Sequence, residues 1–436
     1  MSLNDNNERH LKRWRAIFFV ANGGWKMKTG WYGELTRNEK KTWWACLGGF
    51  TLDSMDSTIY SLVMPILLSL AILTKSEAGI LGSASLIGSA LGGWSAGMLA
   101  DRWGRIRVMQ LTVLWVACFT ALTALCGEFW QFLIVRFLQG LGYGGEVVVG
   151  GVLISEVIRA SYRGRVGASI QSGYALGYAI SLAVLPVLLS FFPQEIAWKL
   201  FFLIGIVPAV LVWFIRRLVP ESPVFSNTPQ NKQPKKITEI FQAKHRRITV
   251  TATLLASGIF GGAYIMITWL PTYLRMELGL PVVSMSGYLA INILGSLIGP
   301  FLYGRLSDKF GRWKTIILFL LCQMIVVSIY MFANVSLNMT LGLGFFLGAL
   351  QGGLASGLTP AFSELYPTHI RGSGAGFCAS FGRGFGSLMP ALVGIVSSQV
   401  HLGYAMGSLA IASYCIGIIA ALCLPNTTGI NLAEVN

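Results

Sequence analysis

Gly97-Met-Leu-Ala-Asp-Arg-Trp-Gly-Arg-Ile-Arg107 returns 207 residues later as Gly304-Arg-Leu-Ser-Asp-Lys-Phe-Gly-Arg-Trp-Lys314. Both copies read G-x-x-x-D-[RK]-x-G-R-x-[RK] and lie between long apolar stretches. A second pair of motifs repeats at an offset of 208, where Ser155-Glu156 with Arg163-Gly164 matches Ser363-Glu364 with Arg371-Gly372. Two different motifs at nearly the same offset indicate a duplicated unit. A duplicated, hydrophobic chain is typical of secondary transporters.

The composition agrees with a membrane protein. Hydrophobic residues make up 54% of the chain, charged residues make up 12%, and the mean hydropathy is +0.63, whereas a soluble domain carries about 25% charged residues. Because each transmembrane helix needs about 20 residues, twelve helices use more than half of the 436 residues. We therefore predict an all-α membrane protein with twelve transmembrane helices in two pseudo-repeated six-helix bundles.

The apolar runs set the predicted helices and domain bounds. The domains are a basic N-terminal tail (1–42), an N-terminal bundle (43–218), a linker (219–247), a C-terminal bundle (248–424) and a C-terminal tail (425–436). The predicted helices are 43–70, 78–100, 108–127, 130–155, 166–190, 199–218, 248–270, 284–304, 314–334, 340–362, 375–399 and 403–424.

The basic residues are distributed unevenly between the two ends of these helices. Of the 33 Lys and Arg residues, 28 fall in the N-terminal tail, the linker and the short loops at one end, which we call the basic side. The loops at the other end, the opposite side, hold only Lys75, Lys199 and Arg275. This asymmetry predicts a cytoplasmic basic side with both termini in the cytoplasm. It also explains the net charge of +15 without a nucleic-acid partner.

Several kinds of chemistry have no motif in the sequence. The seven cysteines lie in apolar stretches without a Cys-x-x-Cys motif, which disfavours disulfides and metal sites. The four histidines fall in predicted tails and loops. No nucleotide-binding P-loop and no Ser/His/Asp arrangement is present. We expect neither an enzyme nor an ATP-driven transporter, and we expect no cofactor and no metal.

The two repeated loops resemble the signature of the major facilitator superfamily between helices 2 and 3 and between helices 8 and 9. Arg136 in Val135-Arg-Phe-Leu-Gln-Gly-Leu-Gly142 resembles the helix-4 motif of that family, and Pro220-Glu-Ser-Pro223 resembles the motif after helix 6. The resemblance extends from about residue 40 to 425. It implies the major facilitator fold, with a substrate site between the two bundles and alternating access.

Within that superfamily, the chain looks most like the sialate:H+ and aromatic-acid:H+ symporter families. The supporting residues are Asp53-Ser-Met-Asp56 in helix 1, Gly144-Gly-Glu146 in helix 4 and Arg383 in helix 11. Those families commonly show Asp-Gly-Phe-Asp in helix 1, so Ser54-Met55 is a departure that leaves the substrate open. The resemblance implies a monomeric, multi-pass protein of a bacterial inner membrane.

Ionisable residues inside the predicted helices are the first candidates for function, because a charge at the bilayer centre costs about 2.5–3.5 kcal/mol even on insertion scales. Asp53 and Asp56 are three residues apart and share one helix face. Two neighbouring carboxylates in a low-dielectric setting do not both ionise easily, and one that titrates near neutral pH can carry a proton. The residues predicted to act in proton coupling are Asp53, Asp56, Arg136 and Glu146.

These residues also have structural interpretations. Asp53 can be a hydrated residue near a helix end, and Arg136 can form an ion pair with a helix-1 aspartate. Glu146 can instead be a buried structural partner of the glycine-rich backbone or meet Arg383.

Arg383 is the leading substrate-binding candidate. Its guanidinium matches a carboxylate in a bidentate manner, and glycines on both sides clear space for it. Its repeat-related position is Ala175, so the duplicated scaffold does not explain the charge. An ion pair with Glu146 or a helix-1 aspartate is the alternative. The uncharged residues predicted to line the same site are Gln171, Tyr174, Tyr178, Tyr264, Thr268, Trp269 and Asn292. Trp269 lies near a helix end, where a membrane-interface anchor is the alternative.

The repeated loops supply a third predicted set, a conformational latch on the basic side that holds the halves together. Its members are Gly97, Asp101, Arg105, Glu156, Arg163, Gly304, Asp308, Arg312, Glu364 and Arg371. Alternating charges at related positions of the two halves suit contacts that form and break as the halves rock.

The sequence therefore predicts a proton symporter that imports a small organic acid anion, such as sialic acid or another carboxylate. Its expected partners are that anion, protons and the lipid bilayer. Sugar uptake or efflux of a drug or metabolite on the same fold remains an alternative. A sensor that binds a ligand without net flux is a second alternative, from another class of protein.

Overall fold

The computed structural model describes residues 32–206, 240–333, 335–367 and 370–425, and a few isolated positions between 210 and 221. Every regular element among these residues is a helix. In chain order they are α1 Arg37–Ser69, α2 Lys75–Trp103, α3 Arg105–Thr123, α4 Phe129–Val157, α5 Ala160–Phe191, α6 Gln194–Ile204, α7 Ala243–Thr272, α8 Val282–Phe310, α9 Arg312–Phe332, α10 Leu337–Ser363, α11 Arg371–Gly386, α12 Met389–Val396 and α13 Leu402–Cys423. A single π-helical turn, Tyr273–Glu277, extends α7.

Within the described ranges, nine helical segments are long and apolar enough to cross a membrane. α1 and α2 are not among them, although they are 33 and 29 residues long. Both carry many polar or small residues, including the two aspartates of α1. Polar residues on a helix of this length indicate a face that is turned away from lipid. The sixth predicted span, 199–218, overlaps α6 from residue 199 to 204. Most of the remainder, 205–218, lies outside the described residues.

α1 begins at Arg37, six residues before the predicted start at 43. Thr36 and Glu39 form a capping box there, since each side chain accepts a hydrogen bond from the backbone N–H of the other. The sequence places the basic residues before 43 in the tail, and this part of the prediction is wrong. A capped helix end tolerates charged residues outside the apolar span, so α1 begins before that span. The first 31 residues of the predicted tail lie outside the described residues.

Glu39 also ties α1 to the start of α5. Its carboxylate accepts hydrogen bonds from the backbone N–H of Arg159, at 3.0 Å, and from the Arg159 side chain, at 2.9 Å. Burial raises the pKa of Glu39, but the hydrogen bonds from Arg159 and Thr36 outweigh burial and hold this pKa at about 2. A carboxylate at the N-terminus of α5 also complements the helix dipole.

The eleventh predicted span, 375–399, is divided into α11 and α12. A turn at Ser387 and Leu388 separates them, and Pro390 lies in the first turn of α12. Proline is accepted in a first turn because the backbone N–H groups there have no helical partner. The prediction of one continuous helix was therefore wrong, because the apolar pattern continues across the break.

Glycine sets the packing inside each half. A methyl group at Gly144 of α4 would lie 1.7 Å from the carbonyl oxygen of Ser89 on α2, so the two backbones are in direct contact. The same clash, at 2.5 Å or less, recurs at four related pairs of positions, offset by 207 or 208: Gly88 and Gly295, Gly92 and Gly299, Gly140 and Gly348, Gly144 and Gly352. Such close crossings are the usual means of helix association in lipid, and they make α8–α10 the counterpart of α2–α4.

The two halves meet tightly near the opposite side. The backbone N–H of Ala391 on α12 donates to the Ser83 hydroxyl of α2 at 2.9 Å. A methyl group at Gly79 of α2 would lie 2.5 Å from the carbonyl oxygen of Pro390, and one at Gly394 would lie 2.6 Å from that of Lys75. We call this contact between the start of α2 and α12 the seal.

The latch glycines on the basic side have more room. The nearest atom to a methyl group at Gly97 belongs to Val148 of the same half, at 3.6 Å. At Gly304 no atom of the described residues comes within 4 Å of such a methyl group. In this conformation, neither latch glycine is pressed against the other half.

Candidate functional site

Asp56 lies at the centre of a buried polar cluster formed by three helices. It is 6% exposed. The Thr120 hydroxyl of α3 donates to one carboxylate oxygen, and the Gln139 amide of α4 donates to the other. The Gln139 amide also donates to the Thr120 oxygen at 2.9 Å. Because both carboxylate oxygens are hydrogen-bonded, the charge of Asp56 can be held away from water.

Arg136 supplies the positive charge of this cluster. Its guanidinium donates to the Gln139 oxygen at 2.5 Å and interacts electrostatically with Asp56. It is 3% exposed, and its Cζ lies 4.4 Å from the centre of the Tyr60 ring. Arg136 thus lies beside a helix-1 aspartate, a pairing that the sequence left open.

Asp53 lies one turn of α1 closer to the basic side and is 2% exposed. A hydrated position near the helix end is therefore wrong for this residue. It interacts electrostatically with Tyr143 of α4. Tyr143 lies four residues after Gln139 and seven after Arg136, so the three share one face of α4.

Glu146 continues the same face of α4 toward the basic side. It is 2% exposed and accepts a hydrogen bond from the Thr112 hydroxyl of α3 at 3.1 Å. Arg136 and Glu146 are ten residues apart, which separates them by about 15 Å along the helix. The first half therefore carries a row of polar groups between α1, α3 and α4 that extends from Arg136 to Glu146.

Arg383 of the second half differs from these groups because it is exposed. Its guanidinium carbon lies 5.2 Å from the centre of the Phe260 ring of α7. It also interacts electrostatically with Tyr264 of α7 and with Tyr143 of the first half. An exposed guanidinium within electrostatic range of a tyrosine of the other half indicates a position in the cleft between the halves.

The uncharged candidates occupy different places. Tyr174 of α5 and Tyr264 of α7 lie within electrostatic range of Tyr143, whereas Tyr178, one turn further along α5, is buried. Asn292 lies elsewhere, because its amide donates to the Gly344 carbonyl of α10 at 3.0 Å, at the α8–α10 crossing. This contact favours helix packing over substrate binding as the task of Asn292. The side chain of Gln171 lies outside the described residues.

Four residues of the predicted latch form two ion pairs. Arg105 meets Glu156 with two hydrogen bonds of 3.1 Å, and Arg312 meets Glu364 at 3.1 Å. The pairs are related by the repeat, but each joins helices of one half. A role in holding the two halves together therefore stays a prediction. The side chains of Asp101, Arg163, Asp308 and Arg371 lie outside the described residues.

Sequence reasoning missed several neighbours of these groups. Glu221, in the motif after helix 6, accepts hydrogen bonds from the backbone N–H groups of Arg105 and Ile106 and so caps α3. The helical period of α4 was a usable signal for Gln139 and Tyr143, which lie three and seven residues after Arg136. Thr120, Tyr60 and Phe260 depend on tertiary packing and had no comparable signal.

The sequence profile of the Major Facilitator Superfamily matches residues 46–389 and 293–430. The chain belongs to this superfamily. It is 37% identical over 406 residues to the "Probable 4-methylmuconolactone transporter" of Cupriavidus pinatubonensis, which covers 93% of this chain and 95% of that protein. It is 28% identical over 360 residues to the "Cis,cis-muconate transport protein" of Acinetobacter baylyi, covering 80% and 86%.

The crystal structure of a D-xylose-proton symporter superposes with a TM-score of 0.73 at 21% identity, covering 90% of this chain and 99% of that one. The predicted all-α major facilitator fold is thereby confirmed. The protein is a multi-pass membrane transporter of small metabolites and not an enzyme, as its family and relatives show.

Proposed function

We propose that this transporter imports a small organic acid anion together with protons by alternating access between its two halves. The observation that carries the proposal is the position of Arg383, exposed in the cleft and close to Tyr143 of the other half, which in turn interacts with Asp53. An anion held by Arg383 would therefore lie beside the proton-binding residues of the first half. We further propose that the protein acts as a monomer in a bacterial inner membrane with both termini cytoplasmic.

The substrate end of the cleft combines one fixed charge with aromatic walls. Arg383 can hold a carboxylate through two parallel hydrogen bonds. The ring of Phe260 lies 5.2 Å from the guanidinium carbon, and Tyr143 and Tyr264 add two further rings with hydroxyl groups within electrostatic range. Such walls favour flat, unsaturated or aromatic carboxylates over bulky, fully hydroxylated ones such as sialic acid. The methylmuconolactone and muconate transporters among the relatives support the same choice.

The proton end suits a carboxyl group that must exist in both forms. Charged Asp56 accepts hydrogen bonds from Thr120 and Gln139. Neutral Asp56 can donate its own O–H to the Thr120 oxygen, because the Thr120 hydroxyl can turn to the carbonyl oxygen of Val116 at 2.8 Å. Since both protonation states find partners, Asp56 can gain and lose a proton without leaving a buried polar atom unsatisfied.

The remaining polar groups extend a proton path toward the basic side. Asp53 and Glu146 lie successively closer to that side than Asp56, and both are buried. In the proposed cycle, protonation on the opposite side precedes anion binding, and loss of the proton on the basic side accompanies release. Arg136 keeps its charge throughout and balances Asp56 when that carboxylate is ionised.

The test is proton flux in proteoliposomes on addition of muconate, aromatic acids, sialic acid or lactate. We expect external alkalinisation with unsaturated or aromatic acids, little with lactate or sialic acid, and none with Arg383→Ala protein at the same concentrations. Absence of a response to every acid, together with uptake of a neutral sugar or efflux of a dye, would contradict the proposal and favour the alternatives on the same fold. Binding of an acid without any flux would favour a sensor.

A further inference from the structure

We infer that Tyr60 is a positioning residue that couples the protonation of Asp56 to the seal between the halves. The inference rests on the proposed function, since it assumes that Asp56 takes up the transported proton. It adds a physical connection, through Tyr60, from a proton bound at Asp56 to the seal between the two halves. Tyr60 itself touches neither the anion nor the proton.

Tyr60 is 2% exposed and contacts both ends of this link. On one side, the guanidinium of Arg136 lies 4.4 Å from the centre of its ring. On the other side, its hydroxyl donates to the carbonyl oxygen of Ala78, in the first turn of α2, at 2.6 Å. Its ring edge also lies 3.7 Å from the position that a methyl group at Gly82 would occupy. Tyr60 therefore joins the Asp56 cluster to the start of α2.

The start of α2 is the first-half surface of the seal. Ser83, one turn after Gly79, accepts the backbone N–H of Ala391, and Gly79 is in contact with the Pro390 carbonyl. The same carbonyl accepts a hydrogen bond from the Trp269 indole of α7 at 3.1 Å. A displacement of α2 relative to α1 at Tyr60 must therefore change contacts with α7 and α12, which belong to the other half.

Protonation changes the electrostatics at the far end of the link. The Asp56 carboxylate takes one proton from water on the opposite side and becomes a neutral carboxylic acid, and no other bond forms or breaks. The net charge of Asp56 and Arg136 together rises from zero to +1. Arg136 then lacks its counter-charge but keeps its hydrogen bond to Gln139, and its contact with the face of the Tyr60 ring carries more of its stabilisation. When Arg136 interacts less with Asp56 and more with the Tyr60 ring, the ring moves. Its hydroxyl, which is bonded to the Ala78 carbonyl, moves with it.

Several groups pack around Asp56 and Tyr60 of α1. Arg136 is the charged residue that interacts with both of them. α3 contributes the Thr120 hydroxyl, α4 contributes Gln139 and Arg136, and α2 contributes the Ala78 carbonyl. α5 faces the neighbouring Thr58 with the Ser181 hydroxyl. Of the further titratable groups, Asp53, Tyr143, Glu146 and Tyr174 lie toward the basic side, and Tyr178 of α5 lies level with Asp56. Lys75 and Glu77 lie beside Ala78 in the first turn of α2. α12 contains no titratable residue.

The experiment measures the width of the seal directly. Spin labels at Lys75→Cys and Gln399→Cys report the distance between α2 and the end of α12, in a background where the exposed or half-buried cysteines 118, 322, 415 and 423 are replaced. Pulsed electron spin resonance in lipid nanodiscs is recorded from pH 5 to 8. The variants are Tyr60→Phe, which keeps the ring and removes the hydroxyl, and Asp56→Asn. Tyr273→Phe is the matched control, because it removes a buried hydroxyl that donates to a carbonyl elsewhere.

In the background protein and in Tyr273→Phe we expect the labelled distance to change with pH, and in Asp56→Asn we expect no change. In Tyr60→Phe we expect a smaller response to pH. The pH-dependent change in the ratio of short to long label distances should fall at least about fivefold, the lower end of typical coupling between two sites. Equal-pH exchange of the substrate anion should remain, because the hydroxyl lost is not part of the cleft. A Tyr60→Phe protein that fails to fold is replaced by Arg136→Lys, which keeps the charge, removes the planar group over the ring and should also reduce the response.

A normal pH response in Tyr60→Phe, alongside its loss in Asp56→Asn, would overturn the inference and leave the proposed function intact. The same holds for a normal response in Arg136→Lys where that variant is used. A background protein without any pH response, or a response that survives in Asp56→Asn, would contradict proton coupling through Asp56 and with it the role of Tyr60.

Discussion

At the scale of single residues, the structure separates two kinds of charge inside the membrane. Asp56 is enclosed by donors from α3 and α4, whereas Arg383 keeps its guanidinium exposed in the cleft. An enclosed carboxylate can exchange only something as small as a proton with its surroundings. An exposed guanidinium can hold a ligand of molecular size, which is the physical basis for giving the two residues different roles.

Replacement of Arg383 tests the anion contact. Because a hydrogen bond to a charged group contributes about 1.5–3 kcal/mol, we expect Arg383→Lys to weaken anion binding by about tenfold or more and Arg383→Ala to weaken it further. Isothermal titration of purified protein with the transported acid measures the affinity. Arg275→Lys, in the π-helical turn that extends α7 on the opposite side, is the matched control and should bind normally. Unchanged affinity in Arg383→Ala would show that the carboxylate lies elsewhere.

Replacement of Asp56 separates proton coupling from substrate movement. Asn keeps the shape of the side chain and one acceptor oxygen, as in the neutral acid, but cannot take up a proton. We therefore expect Asp56→Asn to lose accumulation driven by a pH gradient while retaining exchange of labelled for unlabelled anion. Both rates are measured in the same proteoliposomes, with Glu195→Gln, an exposed carboxylate in the first turn of α6, as the control. Gradient-driven accumulation that persists in Asp56→Asn would rule out this residue as the proton carrier.

The residues at this scale were predictable to different degrees. The five charges inside helices stood out in the sequence because charge is rare in such segments. Their neighbours did not, because Thr120 and Phe260 are ordinary residues in transmembrane helices and acquire meaning only from packing. Asn292 shows the opposite case, since a polar residue in a helix can serve a helix crossing.

At the scale of helices, two repeated loops were enough to predict the overall arrangement, because a duplicated unit restricts how the chain can fold. Helix ends were predicted less well. α1 starts at a capping box that lies outside its apolar run, and the break between α11 and α12 leaves the apolar pattern intact. Hydrophobicity reports the position of a helix in the bilayer and is insensitive to caps and breaks.

The close crossings predict a large effect of a single methyl group. A methyl group at Gly348 of α10 would lie 1.9 Å from the carbonyl oxygen of Asn292, so the helices must move apart. We expect Gly348→Ala to lower stability by about 1–3 kcal/mol, measured by thermal unfolding in detergent. Gly342→Ala, on the same helix with open space in the described structure, should be neutral. Equal melting temperatures for the two variants would contradict the backbone contact.

The junction of α1 and α5 predicts a dependence of stability on pH. The pKa of Glu39, at about 2, lies below its ordinary value of 4.5. Its ionised form therefore stabilises the fold fully above about pH 4.5, and this contribution disappears as the pH falls through about 2. We expect Glu39→Gln to lower the melting temperature at pH 7 and the difference from the unmodified protein to shrink at pH 3. Glu77→Gln, a capping residue of α2, is the matched control. A difference that stays constant with pH would contradict the ion pair with Arg159.

At the scale of the whole molecule, the two halves share a scaffold but differ in chemistry. Their helix crossings and their Arg–Glu pairs are related by the repeat. The buried cluster of Asp56 and Arg136 belongs to the first half, and the exposed guanidinium of Arg383 belongs to the second. In the proposed cycle, transport of an anion with a proton therefore requires that the halves stay in register while their contact alternates between the two sides of the membrane.

The seal predicts how this alternation can be biased. A methyl group at Gly394 would lie 2.6 Å from the carbonyl oxygen of Lys75. We expect Gly394→Ala to disfavour the conformation described here and to raise the accessibility of Ser83→Cys to a thiol reagent added from the opposite side. Gly376→Ala, in the same span but with open space in the described structure, should leave the labelling rate unchanged. Slow labelling in both variants would show that the contact yields without opening.

The glycine pairs at the crossings also restrict how the two copies could diverge in evolution. At Gly88, Gly92, Gly140 and Gly144, and at their counterparts, no larger residue fits while the backbones touch. Selection at these positions acts on shape alone and is independent of the transported molecule. They should therefore remain glycine in descendants that have exchanged one cargo for another. The shared origin of the two halves should therefore remain visible longest at these glycines, which have no side chain.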